Sequence, residues 1–190
     1  MVKSSVASLF LLTVLLGGVA MAQVSPAAAG KASHQQATDL QRHIIREVRR
    51  ELTMLPRFSL FDWIDFELLP DNSVVLSGQV RGLTLKRDAE DAVKRIEGIT
   101  KVVNKIEDLP VSPNDDAIRR RVYRAIYDED GPLFKYAIEV IPSIHIIVKN
   151  GNVTLKGVVD SQADSDYAYI KAKGVPQIFS VKNELRVEKP

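Results

Sequence analysis

The stretch V-V-L-S-G-Q-V from Val74 to Val80 returns as V-T-L-K-G-V-V from Val153 to Val159. Each follows a polar turn, Pro70-Asp71-Asn72-Ser73 in the first case and Lys149-Asn150-Gly151-Asn152 in the second, and each carries a glycine at the same place in an alternating apolar run. Alternation bounded by turn residues marks a strand with one buried face. A glycine inside such a strand is unfavourable unless a bulge or the close approach of another backbone requires it. Gly78 and Gly157 are 79 positions apart (157 − 78), and the same step carries Ala89 to Ala168, Val93 to Ala172, Ile96 to Val175, Val102 to Val181, Asn104 to Asn183 and Ile106 to Leu185. A gapless match of that reach is an internal duplication.

Working outward, Ile64 to Leu68 and Ile144 to Val148 precede the two turns and read as the first arms of β-hairpins. Upstream, Leu40, Ile44, Val48, Leu52 and Leu55 fall on one helical stripe, so an amphipathic helix is expected from Asp39 to Leu55, capped by Thr38 or Asp39 and closed by Pro56. Ile118, Val122 and Ile126 repeat the stripe with Asn114 or Asp115 as cap, and here the step is 78, so one residue is inserted before the second hairpin. Downstream, a second helix is expected over Thr84 to Glu97 with Leu85, Ala89, Ala92, Val93 and Ile96 inward, and over Ser161 to Gly174 with Ala168, Ala172 and Val175 inward. Ser161 and Asp164 approximate a capping box. Lys101 to Glu107 and Ser180 to Val187 close the units as short strands. The fold class is therefore α+β: two tandem α-β-β-α-β units, each a small three-stranded mixed sheet with two helices on one face. A right-handed crossover makes each last strand parallel to the middle one. The units are placed at 38–109 and 114–189, joined by the stiff linker Pro110-Val111-Ser112-Pro113.

Residues 1–22 read as a cleavable signal peptide, with Lys3 at its positive end, an apolar core from Val6 to Val19, and Ala20-Met21-Ala22 as the small-x-small site. Residues 23–37, rich in alanine and small polar residues, are expected to be a flexible tether. Charged residues make up 26% of the chain with a net charge of +2, and the two units are each nearly balanced, which argues against a nucleic-acid partner. There is no cysteine, which excludes disulfides, thiolate chemistry and lipidation behind the leader.

Copy one carries Val74, Leu76, Gly78, Val80, Ala89, Ala92, Gly98, Ile99, Val102, Asn104 and Ile106; copy two keeps Val153, Leu155, Gly157, Val159, Ala168, Val181, Asn183 and Leu185. In this order, twice over and behind a leader, these residues resemble the BON domain (bacterial OsmY and nodulation) family. Copy two departs in having Gln177 where the second glycine belongs, with Gly174 three residues earlier, so its helix-to-strand turn is expected to be built differently. The resemblance implies a periplasmic protein of a Gram-negative-type envelope, linked to osmotic or envelope stress. It also implies a partner that is an anionic phospholipid surface, touched peripherally, or alternatively other envelope proteins in a chaperone-like or interaction role.

The residues offer a face for either. On a helical wheel Arg120, Tyr123, Arg124 and Tyr127 gather opposite the stripe of Ile118, Val122 and Ile126. Arginine forks can hold lipid phosphates and tyrosine suits the headgroup region, although the same pattern also describes a solvated face with tyrosines packed on the neighbouring unit. Arg42, Arg46 and Arg49 form a similar face without tyrosines. Phe58, Phe61 and Trp63 precede the first hairpin and suit either a membrane interface or packing between the units, and Leu133, Phe134 and Tyr136 hold the corresponding place in copy two. His34, His43 and His145 show no ligand spacing, so no metal and no cofactor are expected. Asp160, Asp164 and Asp166 read as helix N-terminal charges. No nucleophile elbow or phosphate-cradling loop appears, and no enzymatic activity is expected.

Overall fold

The duplicated stretch forms the central strand of each of two sheets. In the computed structural model, which describes residues 26–139 and 141–188, residues 37–190 make one compact unit; the segment read as a leader lies outside the described residues. Copy one runs α1 (Pro26–Thr53), β1 (Trp63–Leu68), β2 (Ser73–Val80), α2 (Leu83–Lys94), β3 (Lys101–Asn104) and β4 (Glu107–Asp108). Copy two runs α3 (Pro113–Ile126), a single 3-10 turn (Phe134–Tyr136), β5 (Ile144–Lys149), β6 (Asn152–Val159), α4 (Gln162–Lys173) and β7 (Ser180–Val187). The sheet orders are β1-β2-β3, with β4 also on β2, and β5-β6-β7. In both, the hairpin is antiparallel and the last strand lies parallel to the middle one.

The repeated glycine has a steric cause. Gly78 (φ +127°) and Gly157 (φ +120°) lie opposite Ile64 and Ile144 in the hairpins. A Cβ on Gly78 would stand 2.0 Å from the Trp63 carbonyl oxygen, and one on Gly157 1.9 Å from that of Ser143. Close backbone approach therefore requires glycine at both places. The repeated asparagine ties the last strand to the second helix. Asn104 donates to the Lys86 carbonyl at 2.9 Å and accepts from the Ile106 amide at 3.1 Å, while Asn183 donates to Ser165 and accepts from the Leu185 amide.

One face of each sheet carries the core. Val74, Leu76 and Val80 meet Ile44, Val48 and Leu52 of α1 and Leu85, Ala89 and Val93 of α2. Val153, Leu155 and Val159 meet Ile118, Val122 and Ile126 of α3 and the two alanines Ala168 and Ala172 of α4.

Four details depart from the sequence reading. Helix α1 is described from Pro26, so neither Thr38 nor Asp39 caps it, and residues 26–37 are helical rather than a loose tether. Alanine, glutamine and lysine there favour helix without apolar periodicity, and proline is tolerated at a helix start. Ser112, not Asn114 or Asp115, caps α3, accepting from the Asp115 amide at 3.2 Å with Pro113 following it. Asp115 is instead buried and accepts from the amides of Asn150 and Gly151, each at 2.8 Å, which pins the β5-β6 turn to α3. The closing strand of copy one is broken at Lys105-Ile106 into two short pieces, whereas β7 is continuous. Gln177 takes φ +67° where Gly98 takes +90°, so the two turns share the same left-handed backbone instead of being built differently. A non-glycine residue there costs about 1 kcal/mol.

Candidate functional site

Residues 57–62 are held by an aspartate that periodicity does not single out. Asp62, 3% exposed, accepts from the Ser59 amide (3.1 Å), the Ser59 hydroxyl (2.6 Å) and the Arg81 amide (2.8 Å). Serine three residues ahead of an aspartate was the local signal for such a turn.

The turn projects its apolar side chains onto copy two. The Leu60 carbonyl accepts from the Ile146 amide at 2.8 Å, occupying the outer edge of β5. His145, 8% exposed, lies against Phe58 (centroids 5.7 Å apart) and edge-on to Trp63 (5.2 Å), with its Nδ1 2.6 Å from the Asp62 carbonyl. Burial holds this imidazole below its ordinary pKa, opposed by the bond to Asp62. Leu60 and Phe61 pack on the core of copy two, so the aromatic loop joins the copies.

This docking creates an open groove of about 640 Å³ lined by Leu60, Phe61, Arg120, Tyr123 and Arg124. Phe61 meets Tyr123 edge-on at 6.4 Å and has the Arg81 guanidinium 5.6 Å from its ring centre. Three of the four residues read as the basic-aromatic face thus come together, and a wall from copy one is added. Arg124 donates from Nε to the Arg120 carbonyl at 3.3 Å. Among the described residues neither guanidinium pairs with a carboxylate.

Tyr127 does not belong to this face. Helix α3 ends at Ile126, and Tyr127, at φ −100° and ψ 41°, leaves the helical phase that the wheel assumed. Its side chain is buried and its hydroxyl donates to the Ile144 carbonyl at 2.8 Å. Burial raises its pKa far above the usual phenol value. It is a core residue.

Arg42, Arg46 and Arg49 are exposed on α1. Arg42 pairs with Asp39 at 2.8 Å, and Arg49 borders a separate groove of about 390 Å³ that also takes in Trp63 and Arg186. His43 lies on α1 beside Glu47 and Arg95, apart from His145. Among the described residues no three His, Cys, Asp or Glu side chains are placed to hold a metal, and no helix is long and apolar enough to cross a membrane. Asp160 and Asp164 are engaged by Lys135, at 2.9 and 3.0 Å, and Asp164 also accepts from the Tyr136 hydroxyl at 2.8 Å.

The groove is a shallow basic-aromatic surface.

Comparison with known proteins agrees with the duplicated architecture. The BON domain family model matches residues 64–107 and 114–189. Osmotically-inducible protein Y of Escherichia coli (strain K12) is 32% identical over 127 residues, covering 65% of this chain and 62% of that protein, so the chain spans less than two thirds of its relative's length. Among solved structures, the C-terminal domain of CdsD, the structural protein of the type III secretion system of Chlamydia trachomatis, aligns over 76% of this chain and 97% of that one, at 13% identity and a TM-score of 0.28. So slight a likeness bears no weight.

Proposed function

The chain belongs to the BON-domain family, and from that premise we propose that it is an exported envelope protein of the osmotic-stress kind that touches anionic phospholipid surfaces through the groove of Leu60, Phe61, Arg120, Tyr123 and Arg124. The relative named for osmotic induction supports the stress role. The leader read at 1–22 supports export to the periplasm, and the absence of cysteine supports a contact that is peripheral rather than lipid-anchored. No nucleophile, metal or cofactor is part of this reading, and the protein works as a binding module.

The observation that carries the proposal is the convergence of two arginines, without a carboxylate partner among the described residues, with aromatic side chains from both copies. Guanidinium forks bind phosphate in two places at once, and the tyrosine and phenylalanine rings suit the headgroup boundary. Each basic residue near an anionic surface contributes about 1 kcal/mol. Arg120→Glu with Arg124→Glu should therefore weaken partition onto phosphatidylglycerol-containing vesicles about thirtyfold or more at low salt. Wild-type binding should fall as salt shortens the screening length from about 10 Å at 0.1 M to about 3 Å at 1 M. Equal binding to neutral phosphatidylcholine vesicles would remove the proposal.

A second reading, a chaperone-like protein-protein module, is favoured by large apolar side chains left in water, Phe179 at 81% exposure and Ile138 at 75%. It requires suppression of client aggregation without lipid, unaffected by the two arginine changes.

A further inference from the structure

We propose that the cleft between α1 and the outer edge of β1 takes an extended segment of another polypeptide, which adds to the sheet of copy one as a further strand. This goes beyond the lipid reading and is independent of it, since a different edge of the molecule carries it and the recognising groups are main-chain ones.

β1 is the outermost strand of its sheet, as β5 is of the other. Phe66 lies opposite Leu76 and Ile146 opposite Leu155, so the two hold the same place in the repeat. In copy two the outward groups of β5 are taken by the protein itself. The Ile144 carbonyl accepts from the Tyr127 hydroxyl at 2.8 Å, the Ile146 amide donates to the Leu60 carbonyl at 2.8 Å, and the Val148 carbonyl accepts from Arg119 at 2.6 Å. Copy one lacks these fillers. The step of 78 that aligns the helices puts Arg49 where copy two has Tyr127, and Gln41 where it has Arg119. Among the described residues neither side chain bonds to β1. The Leu69 amide donates to the Ser73 carbonyl at 2.9 Å, and in an antiparallel ladder alternate residues face away from the partner strand, which turns Phe66 outward. Its amide meets the carboxylate of its own neighbour Asp65 at 2.9 Å, and among the described residues no second strand pairs with this edge.

Where Tyr127 closes copy two, a groove of about 390 Å³ stands open in copy one. It runs along residues 63–66 of β1 and is bordered by Arg49 and Leu52 of α1, with Phe58 and Val158 as further apolar walls. Its charges balance, Arg49 and Arg186 against Asp65 and Glu188, and among the described residues none of the four forms an ion pair. The groove therefore does not select an anion. A free strand edge beside apolar walls suits strand addition, in which main-chain bonds supply affinity and every second side chain enters the groove. Phe58 and Trp63 belong both to this groove and to the contact with His145, so an added strand continues the interface that already joins the copies. The occupant that fits is an extended segment with an apolar residue at alternate positions.

The probe is a short acetylated and amidated peptide alternating valine with serine, added without lipid to the exported chain from Gln23 onward. The control peptide has proline in place of its serines, which removes the amides needed for pairing along an edge. Trp63, the only tryptophan, lines the groove, so its emission should change with the first peptide and not with the second. Exchange of the Phe66 amide, followed by NMR, should slow about tenfold or more at saturation, while that of Ile146, already bonded to Leu60, should stay as it is. Arg49→Tyr gives copy one the residue with which copy two closes its own edge, and should weaken peptide binding about tenfold. Circular dichroism confirms that the variant is folded. The proposal is overturned if the valine-serine peptide does not bind, if it binds without slowing the Phe66 amide, or if folded Arg49→Tyr binds it as well as wild type. No lipid is present, so each of these results leaves the lipid reading to its own test.

Discussion

The segments that precede the two hairpins occupy the same place in the repeat and do different work. In copy one, Phe58, Leu60, Phe61 and Trp63 reach outward to His145, Ile146 and Tyr123 of copy two. In copy two, Leu133 and Tyr136 fold back on their own core, with the Tyr136 hydroxyl donating to Asp164 and accepting from the Asp160 amide. The receiving surfaces differ accordingly. The hairpin register aligns His145 and Ile147, both buried, with Asp65 and Glu67 of copy one, both exposed. One copy offers a loop and the other a place to dock it. The groove proposed as functional exists because of that asymmetry.

The largest expected effect tests what the copies share. Gly157→Ala, and equally Gly78→Ala, places a Cβ about 2 Å from a carbonyl oxygen at positive φ and should cost on the order of 4 kcal/mol in urea unfolding. A loss below about 1 kcal/mol in either would show that the close approach is not what fixes glycine there.

Next come variants that separate the copies. Leu133→Ala empties a buried site in copy two alone, and should cost about 3 kcal/mol while leaving the emission of Trp63, the only tryptophan, unchanged. Phe58→Ala should cost roughly 2 kcal/mol, since its ring is only half buried, and should shift Trp63 emission to the red. The reverse pattern would mean that the loops have been assigned to the wrong partners.

A smaller effect comes from pH. His145 faces the Asp62 carbonyl, the rings of Phe58 and Trp63, and Lys156 across the hairpin, which is itself paired with Glu184 at 2.6 Å. Burial disfavours its cation, so the docked state holds it neutral. Docking is then at full strength above about pH 6.5, the ordinary histidine value, and weakens as the pH falls below it. Trp63 emission should shift reversibly on acidification in wild type and much less in His145→Gln, while far-UV circular dichroism stays constant in both.

Much of this fold was legible because its constraints are local or repeated. Gly78 and Gly157, the alternating strands around them and the stripe of Ile118, Val122 and Ile126 announce themselves by spacing alone. What escaped depends on where an element ends. The wheel extended α3 by one residue too many and turned Tyr127 from a core phenol into a surface one. Asp115 looked like a cap because aspartate favours that place, but the turn at Asn150-Gly151 claims it from 35 residues away. Packing of Phe58, Phe61 and Trp63 between the copies, and of a tyrosine on the neighbouring copy, was among the readings open from the sequence; that Phe61 meets Tyr123 is set by how the loop docks and has no signature in either segment. The arginines Arg120 and Arg124 were visible by charge.

The claim most exposed to test is that the lipid contact is shared by both copies. The measurement is partition of Phe61→Ser onto phosphatidylglycerol vesicles at low salt, beside the wild type. The change lies in copy one and alters no charge, yet it should weaken binding several-fold because it removes a wall from the groove that holds Arg120 and Arg124. Binding equal to wild type, in a variant with unchanged circular dichroism, would contradict it.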